Sequence, residues 1–166
     1  MVRGVSTGPY TKLVPRSLLV DNDIRFKEGI TNEDVMWTAE VLSSANSVML
    51  LGEPLYRYIA RAGSVTNTFQ AGTVVVFDNC RKLESFIARY HPGLLDSCTT
   101  YCARSCWNVI LAASRGDNKK RFPEAYDLAM RELHARRRDI ARCCTRPKEF
   151  LLRLLVELRV YGWLKK

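Results

Sequence analysis

Two adjacent carboxylates, Glu33 and Asp34, are the residues whose types and position best suit chemistry. They open an amphipathic run over residues 35–45, and Thr31 precedes Asp34 by the three residues of a capping box. A carboxylate in the first helical turn faces free backbone N–H groups and the positive end of the helix dipole, which keep it ionised. The pair is therefore either a helix cap contributing about 1 kcal/mol or a general base held ready to accept a proton.

Short apolar segments around this helix predict strands. Residues 24–26 alternate as in a short strand, and residues 47–51 are typical of a buried one. Residues 55–60 predict a second strand of that pair, which Gly63 ends. Ahead of them, residues 15–19 predict one helical turn with proline at its first position.

From Val74 the apolar periodicity is helical almost to the end of the chain. Helices are predicted over residues 74–90 and 94–113, from Pro123 onward, and over residues 148–163. The pattern places the three consecutive arginines of the third predicted helix on its exposed side: Arg136, Arg137 and Arg138.

Charge divides the chain near residue 70. Residues 1–70 hold seven Lys/Arg and seven Asp/Glu, whereas residues 71–166 hold the other 19 basic and ten acidic residues and the whole net charge of +9. We therefore predict two parts, residues 1–70 and a basic helical extension over residues 71–166. There is no signal-peptide pattern and no run of about 18 apolar residues, so we expect a cytoplasmic protein.

Six cysteines are present, and Cys98, Cys102 and Cys106 recur every four residues. On a helix this spacing places the three thiols on one slowly rotating face. They are interpreted as small apolar residues of a buried face rather than as metal ligands, because no tight Cys-x-x-Cys pair exists.

The basic extension has three interpretations. It is a solvated face of a helical appendage, a surface that contacts an anionic membrane through residues 148–166, or a nucleic-acid contact. The membrane interpretation uses an apolar face flanked by cations: Phe150, Leu151, Leu154, Leu155, Leu158 and Trp163 with Arg153, Arg159, Lys165 and Lys166. That face could equally be core or a contact in a homo-oligomer. Nucleic acid is not the expected partner, because no recognised motif accompanies the arginines.

Residues 8–68 carry a series of motifs whose order and spacing resemble a known family. In order these are Lys12-Leu13, Ser17-Leu18-Leu19, Ile24-Arg25-Phe26, Glu28-Gly29, Asn32-Glu33-Asp34, Pro54-Leu55-Tyr56-Arg57-Tyr58, Arg61 and Gly63-Ser64-Val65. The series resembles the second half of the catalytic domain of glycosyltransferase family 2, the inverting enzymes with a GT-A fold.

The resemblance implies roles for four residues. Asp34 matches the base that removes a proton from the acceptor hydroxyl as it attacks a nucleotide sugar, and Glu33 matches its partner carboxylate. Arg61 and Ser64 match the element near the diphosphate of the donor, where an arginine suits a leaving phosphate.

The resemblance also implies that one half of the family's catalytic domain has no counterpart in these residues. The donor-binding half of the family, with the Asp-x-Asp motif that holds a divalent metal (Mn or Mg) with the diphosphate, is matched by no part of this sequence. Asp21-Asn22-Asp23 is interpreted as a turn. We therefore expect the C-terminal portion of a truncated glycosyltransferase that is inactive by itself and whose metal ligands lie elsewhere.

The expected fold is α+β and mainly helical: a remnant of the acceptor half of a GT-A α/β domain, with short strands and one amphipathic helix, followed by a helical C-terminal extension. The expected function is transfer of a sugar from a nucleotide-sugar donor to a hydroxyl on a glycan or lipid-linked acceptor in cell-surface polysaccharide synthesis. The expected location is the cytoplasm, at the inner face of the plasma membrane if the tail binds lipid. The alternative from another class is a non-enzymatic basic helical interaction module.

Overall fold

The computed structural model describes residues 6–28, 32–57, 59, 69–144 and 146–158. The helices in these residues are, in chain order, α1 (Arg16–Asp21), α2 (Asp34–Ser44), α3 (Val75–Tyr90), α4 (Leu95–Ala113), α5 (Asn118–Arg121), α6 (Pro123–Ala135), α7 (Arg137–Cys143) and α8 (Pro147–Glu157). Three short 3-10 helices, Pro9–Thr11, Ala71–Val74 and Pro92–Leu94, precede α1, α3 and α4.

Helices α3, α4, α6 and α7 pack around one apolar core, with α4 at its centre. The inward face of α4 repeats at helical spacing and is fully buried at Cys102, Cys106, Ile110 and Ala113. Leu83 of α3 and Ile140 of α7 close the core from either side. The helical periodicity of this part of the sequence therefore corresponds to helices whose apolar faces meet on α4.

Helix α2 joins this body by packing on α3, and its two sides face two different apolar clusters. Ala39 belongs to the main core, whereas Trp37 and Val41 form a second cluster with Ile24. The ring of Trp37 stacks on Phe26 at a centroid separation of 4.8 Å. The segment before α2 is thereby folded back onto the helix.

The structure differs from the prediction most clearly where strands were expected. No strand or sheet occurs in the residues that the structure describes, so the α+β fold class, with its GT-A remnant of short strands, is wrong for them. Residues 24–26 are irregular, and so are residues 47–51 and residues 55–57 and 59. Tyr58 and Ala60 of the second predicted strand lie outside the described residues.

The physical reason is visible at residues 48–51, which were expected to be buried. All four are exposed, Met49 to 85%. A strand is stabilised by hydrogen bonds to a neighbouring strand and by burial of a face. In the described part of the chain, residues 48–51 have no neighbouring strand and no surface that buries them. A β-strand is therefore not stabilised there.

Helix α8 begins one residue before its predicted start and ends at Glu157, and residues 159–163 of the predicted helix lie outside the described residues. Its inner side contributes Val156 to the main core. None of the helices within the described ranges combines the length and the apolar character that a bilayer crossing requires.

Candidate functional site

The carboxylate pair lies at the N-terminus of α2. Asp34 is the first residue of the helix and Glu33 is its N-cap, with helical backbone angles and no capping hydrogen bond from its side chain. The predicted capping box would have placed the cap at Thr31, which lies outside the described residues. The Glu33 side chain therefore does not close this helix end by capping.

Two hydrogen bonds from buried side chains hold this helix start in place. The amide Nδ2 of Asn79 on α3 donates to the carbonyl oxygen of Asn32 at 3.1 Å. The hydroxyl of Thr38 donates to the carbonyl oxygen of Thr7 at 2.8 Å and so ties α2 to the N-terminal segment. Asn32 itself has φ of 57°, a left-handed conformation that asparagine tolerates better than most residues.

Asp34 shares its surroundings with Lys12. Burial lowers the pKa of the Lys12 ammonium below its usual value, and the Asp34 carboxylate opposes that shift. The ammonium also donates to the carbonyl oxygens of Gly8, at 2.9 Å, and of Ser6. Lys12 belongs to the first motif of the family resemblance, so the fold brings the first and the fifth motifs of the series together.

Glu33 lies in a different environment, a shallow depression between α2 and α3. The depression is lined by Arg25, Lys27, Glu33, Met36, Trp37, Glu40, Asn79 and Lys82. Its volume of about 10 Å³ holds at most one water molecule. The depression is thus a junction lined by three cations and by the carboxylates of Glu33 and Glu40, and it is too small for a sugar.

The remaining predicted site residues, Arg61 and Ser64, lie outside the described residues. Their relation to Asp34 is therefore not part of the described geometry. Within the described residues, Glu33 and Asp34 lie together at the start of α2, and the Lys12 ammonium interacts electrostatically with Asp34.

An open groove of about 760 Å³, which the sequence did not predict, lies between α6 and the last turn of α8. The groove is lined by Asp127, Met130, Arg131, Leu133, His134, Arg137 and Glu157. Its volume is in the usual range for small-molecule sites, but it is open to solvent and its charged groups are of both signs. The sequence signal was the helical spacing of Asp127, Arg131 and His134, which puts them on one face of α6.

The three consecutive arginines have different environments, which corrects the expectation that all are exposed. Arg136 is 9% exposed and donates to both carboxylate oxygens of Glu84, each at 2.7 Å. It also donates to Glu132 at 2.6 Å, and Arg81 forms an ion pair with the same carboxylate. The Glu84 carboxylate holds the pKa of Arg136 above its usual range. Arg137 and Arg138 are exposed.

The cysteines are buried as predicted. Cys98, Cys102 and Cys106 lie on the inner face of α4, and Cys80 of α3 lies against them. Hydrogen bonding with Cys80, together with burial, raises the pKa of the Cys102 and Cys106 thiols. These thiols act as small apolar side chains that let α3 and α4 approach closely.

Within the described ranges, no three His, Cys, Asp or Glu side chains are grouped so that they could hold a metal ion. The arrangement at the start of α2 offers a carboxylate acceptor for a proton beside a cation, and this is its available chemistry.

Comparison of the chain with protein-family models, with curated proteins and with solved structures finds no match.

Proposed function

We propose that this chain supplies the acceptor side of an inverting glycosyltransferase, with Asp34 as the general base for the acceptor hydroxyl. The observation that carries the proposal is that Lys12 and Thr38 of α2 both donate to the segment of residues 6–8. This holds Lys12, from the first family motif, near the first turns of α2, where its ammonium interacts electrostatically with Asp34. A base must be held in a fixed orientation beside its substrate. The buried hydrogen bonds of Asn79 and Thr38 provide that fixed position at the start of α2.

Each named residue then has a distinct role. Asp34 accepts the proton as the acceptor oxygen attacks the anomeric carbon of the donor, and Glu33 is its partner carboxylate. Lys12 contributes positive charge beside the base. Arg61 and Ser64 face the diphosphate of the donor, whose leaving group an arginine stabilises with two parallel N–H donors. The donor and its divalent metal are bound by groups outside the motifs that carry the resemblance.

Calorimetric titration of the 166-residue chain with uridine- and guanosine-diphosphate sugars in the presence of Mn²⁺ tests this division of labour. We expect no binding in the micromolar range, because the chain is assigned the acceptor side alone. Micromolar binding of any of these donors would show that the described helical body holds a donor site of its own, and the proposed division would then be wrong.

The exposed cations of α7 favour a second candidate, a non-enzymatic basic interaction module. Arg137 and Arg142 are 66% and 76% exposed, and Arg138 is exposed as well. The two candidates differ in what the Asp34 carboxylate does. A module of this kind does not depend on Asp34, whereas glycosyl transfer does.

A further inference from the structure

Helix α8 presents an apolar stripe to solvent on the side opposite its packing face. The α8 stripe consists of four large side chains that are 40% to 61% exposed: Phe150, Leu151, Leu154 and Leu158. Their offsets of one, four and eight residues place them on one face of the helix. Val156 lies on the opposite face in the core. A helix that is apolar on both sides implies a second apolar environment outside the described fold.

Cations stand at both ends of the α8 stripe. At the start of the helix, Arg146 and Lys148 are exposed. At its end, Glu157 Oε1 lies 3.7 Å from Nε of Arg137, the first residue of α7. Arg137 shares the outward face of α7 with Arg138 and Arg142, because Ile140 and Cys143 occupy the buried side.

The surface formed by α7 and α8 carries more basic than acidic residues, so its ion pairs leave a net positive charge. Residues 137–158 contain six Lys/Arg and three Asp/Glu. Two of the three acids, Asp139 and Glu157, each lie within 4.0 Å of an arginine. The charge of the surface is therefore complementary to an anionic partner.

The chemistry of the surface distinguishes between the partners it could have. A second copy would bring the same cations against these cations, which costs free energy. Nucleic acid would satisfy the arginines but would leave the leucines exposed to water. An anionic lipid surface satisfies both, because the phosphates attract the cations and the acyl boundary receives the apolar side chains.

We propose that α7 and α8 form a docking surface for an anionic lipid bilayer. The α8 stripe enters the boundary between headgroups and acyl chains, and the α7 arginines with Arg146 and Lys148 contact lipid phosphates. With 11 residues, α8 is about 16 Å long, so it lies in the plane of the interface and does not cross the bilayer. This inference does not depend on which of the two proposed functions is right.

Flotation with lipid vesicles tests the proposal on the full chain. Vesicles of phosphatidylcholine are compared with vesicles of phosphatidylcholine and phosphatidylserine, at low and at physiological salt. We expect binding to the anionic vesicles only, and weaker binding as salt screens the arginines. The double substitution Leu151→Ser and Leu154→Ser should lower the partition coefficient at least about tenfold, since binding scales with buried apolar area.

A second variant tests how much the arginines of α7 contribute to vesicle binding. Arg138→Gln with Arg142→Gln should lower partitioning roughly fivefold for each cation removed. Its matched control is Arg115→Gln with Arg121→Gln, which removes two exposed cations between α4 and α6 and should leave partitioning close to that of the parent.

The matched control for the stripe is Leu50→Ser with Leu51→Ser, which removes two exposed leucines outside the docking surface. Circular dichroism checks that each variant remains helical, and the single substitutions replace the double one if it does not. Equal flotation of the stripe variant and its control overturns the proposal, as does equal binding to neutral vesicles. It is also overturned if the stripe variant loses only self-association, or if the parent binds duplex DNA but no vesicle.

Discussion

At the scale of single residues, neighbouring arginines have opposite roles in this protein. Arg136 is buried in an ion-pair network with Glu84 and Glu132, whereas Arg138 is exposed. Burying an ion pair costs desolvation free energy. Removing one of its partners costs more, because the other charge then remains buried without compensation. The burial of Glu132, which is 3% exposed, therefore makes Arg136 a structural residue.

The substitution Arg136→Met should lower the free energy of unfolding by about 3 kcal/mol, because Glu84 loses its arginine and Glu132 keeps Arg81 alone. Urea denaturation followed by circular dichroism measures the change. Arg138→Met is the matched control and should cost less than about 0.5 kcal/mol. If the two variants lose equal free energy of unfolding, the ion pairs of Arg136 contribute no more to stability than an exposed arginine does, and the prediction is wrong.

Sequence alone could have indicated part of this network. Glu132 and Arg136 are four residues apart, the spacing at which side chains on one helix meet. Glu84, in contrast, lies 52 residues from Arg136, and only the packing of α3 on the later helices brings the two together. Periodicity identifies the inner face of a helix, but it does not report which buried acid a given arginine will reach.

At the scale of elements, most of the helices were predictable and the strands were not. The helix predicted from Pro123 onward is an exception, because it is two helices, α6 and α7, which meet at Arg136. The predicted start of α4 at Leu94 and its end at Ala113 differ from the structure by one residue at most. A helix satisfies its backbone hydrogen bonds within its own sequence, so its periodicity is sufficient evidence for it. Residues 47–51 have strand-like composition, but a strand needs a partner that local sequence does not specify.

The exposed run at residues 48–51 should cause self-association. It is apolar, and the surrounding sequence from Asn46 to Gly52 carries no charge that would oppose contact between copies. Leu51→Lys should weaken the association constant about tenfold or more, as measured by sedimentation velocity over a concentration series.

Leu13→Lys is the matched control, because Leu13 is an exposed leucine as well but lies outside that run. It should leave association close to that of the parent chain. A parent chain that stays monomeric at all concentrations would contradict the prediction, and so would equal effects of the two substitutions.

At the scale of the whole molecule, the start of α2 is attached to the helical body through α3 and to the N-terminal segment through Thr38. The sequence located the carboxylate pair at this helix start, and the structure agrees within the described residues. It could not reveal that Lys12 would lie beside Asp34, because that proximity depends on folding a segment more than 20 residues upstream onto α2. The boundary predicted near residue 70 remains a prediction.

The central claim is that Asp34 is the base for sugar transfer. Its most direct test is a turnover assay of the proposed glycosyltransferase, with the chain joined to a donor-binding half. Asp34→Asn should reduce kcat by about a hundredfold or more, because the amide cannot accept the proton, while the donor dissociation constant stays nearly unchanged. Asp96→Asn is the matched control, since Asp96 is also a carboxylate in the first turn of a helix, α4. Turnover retained by Asp34→Asn, or lost equally in both variants, would contradict the claim.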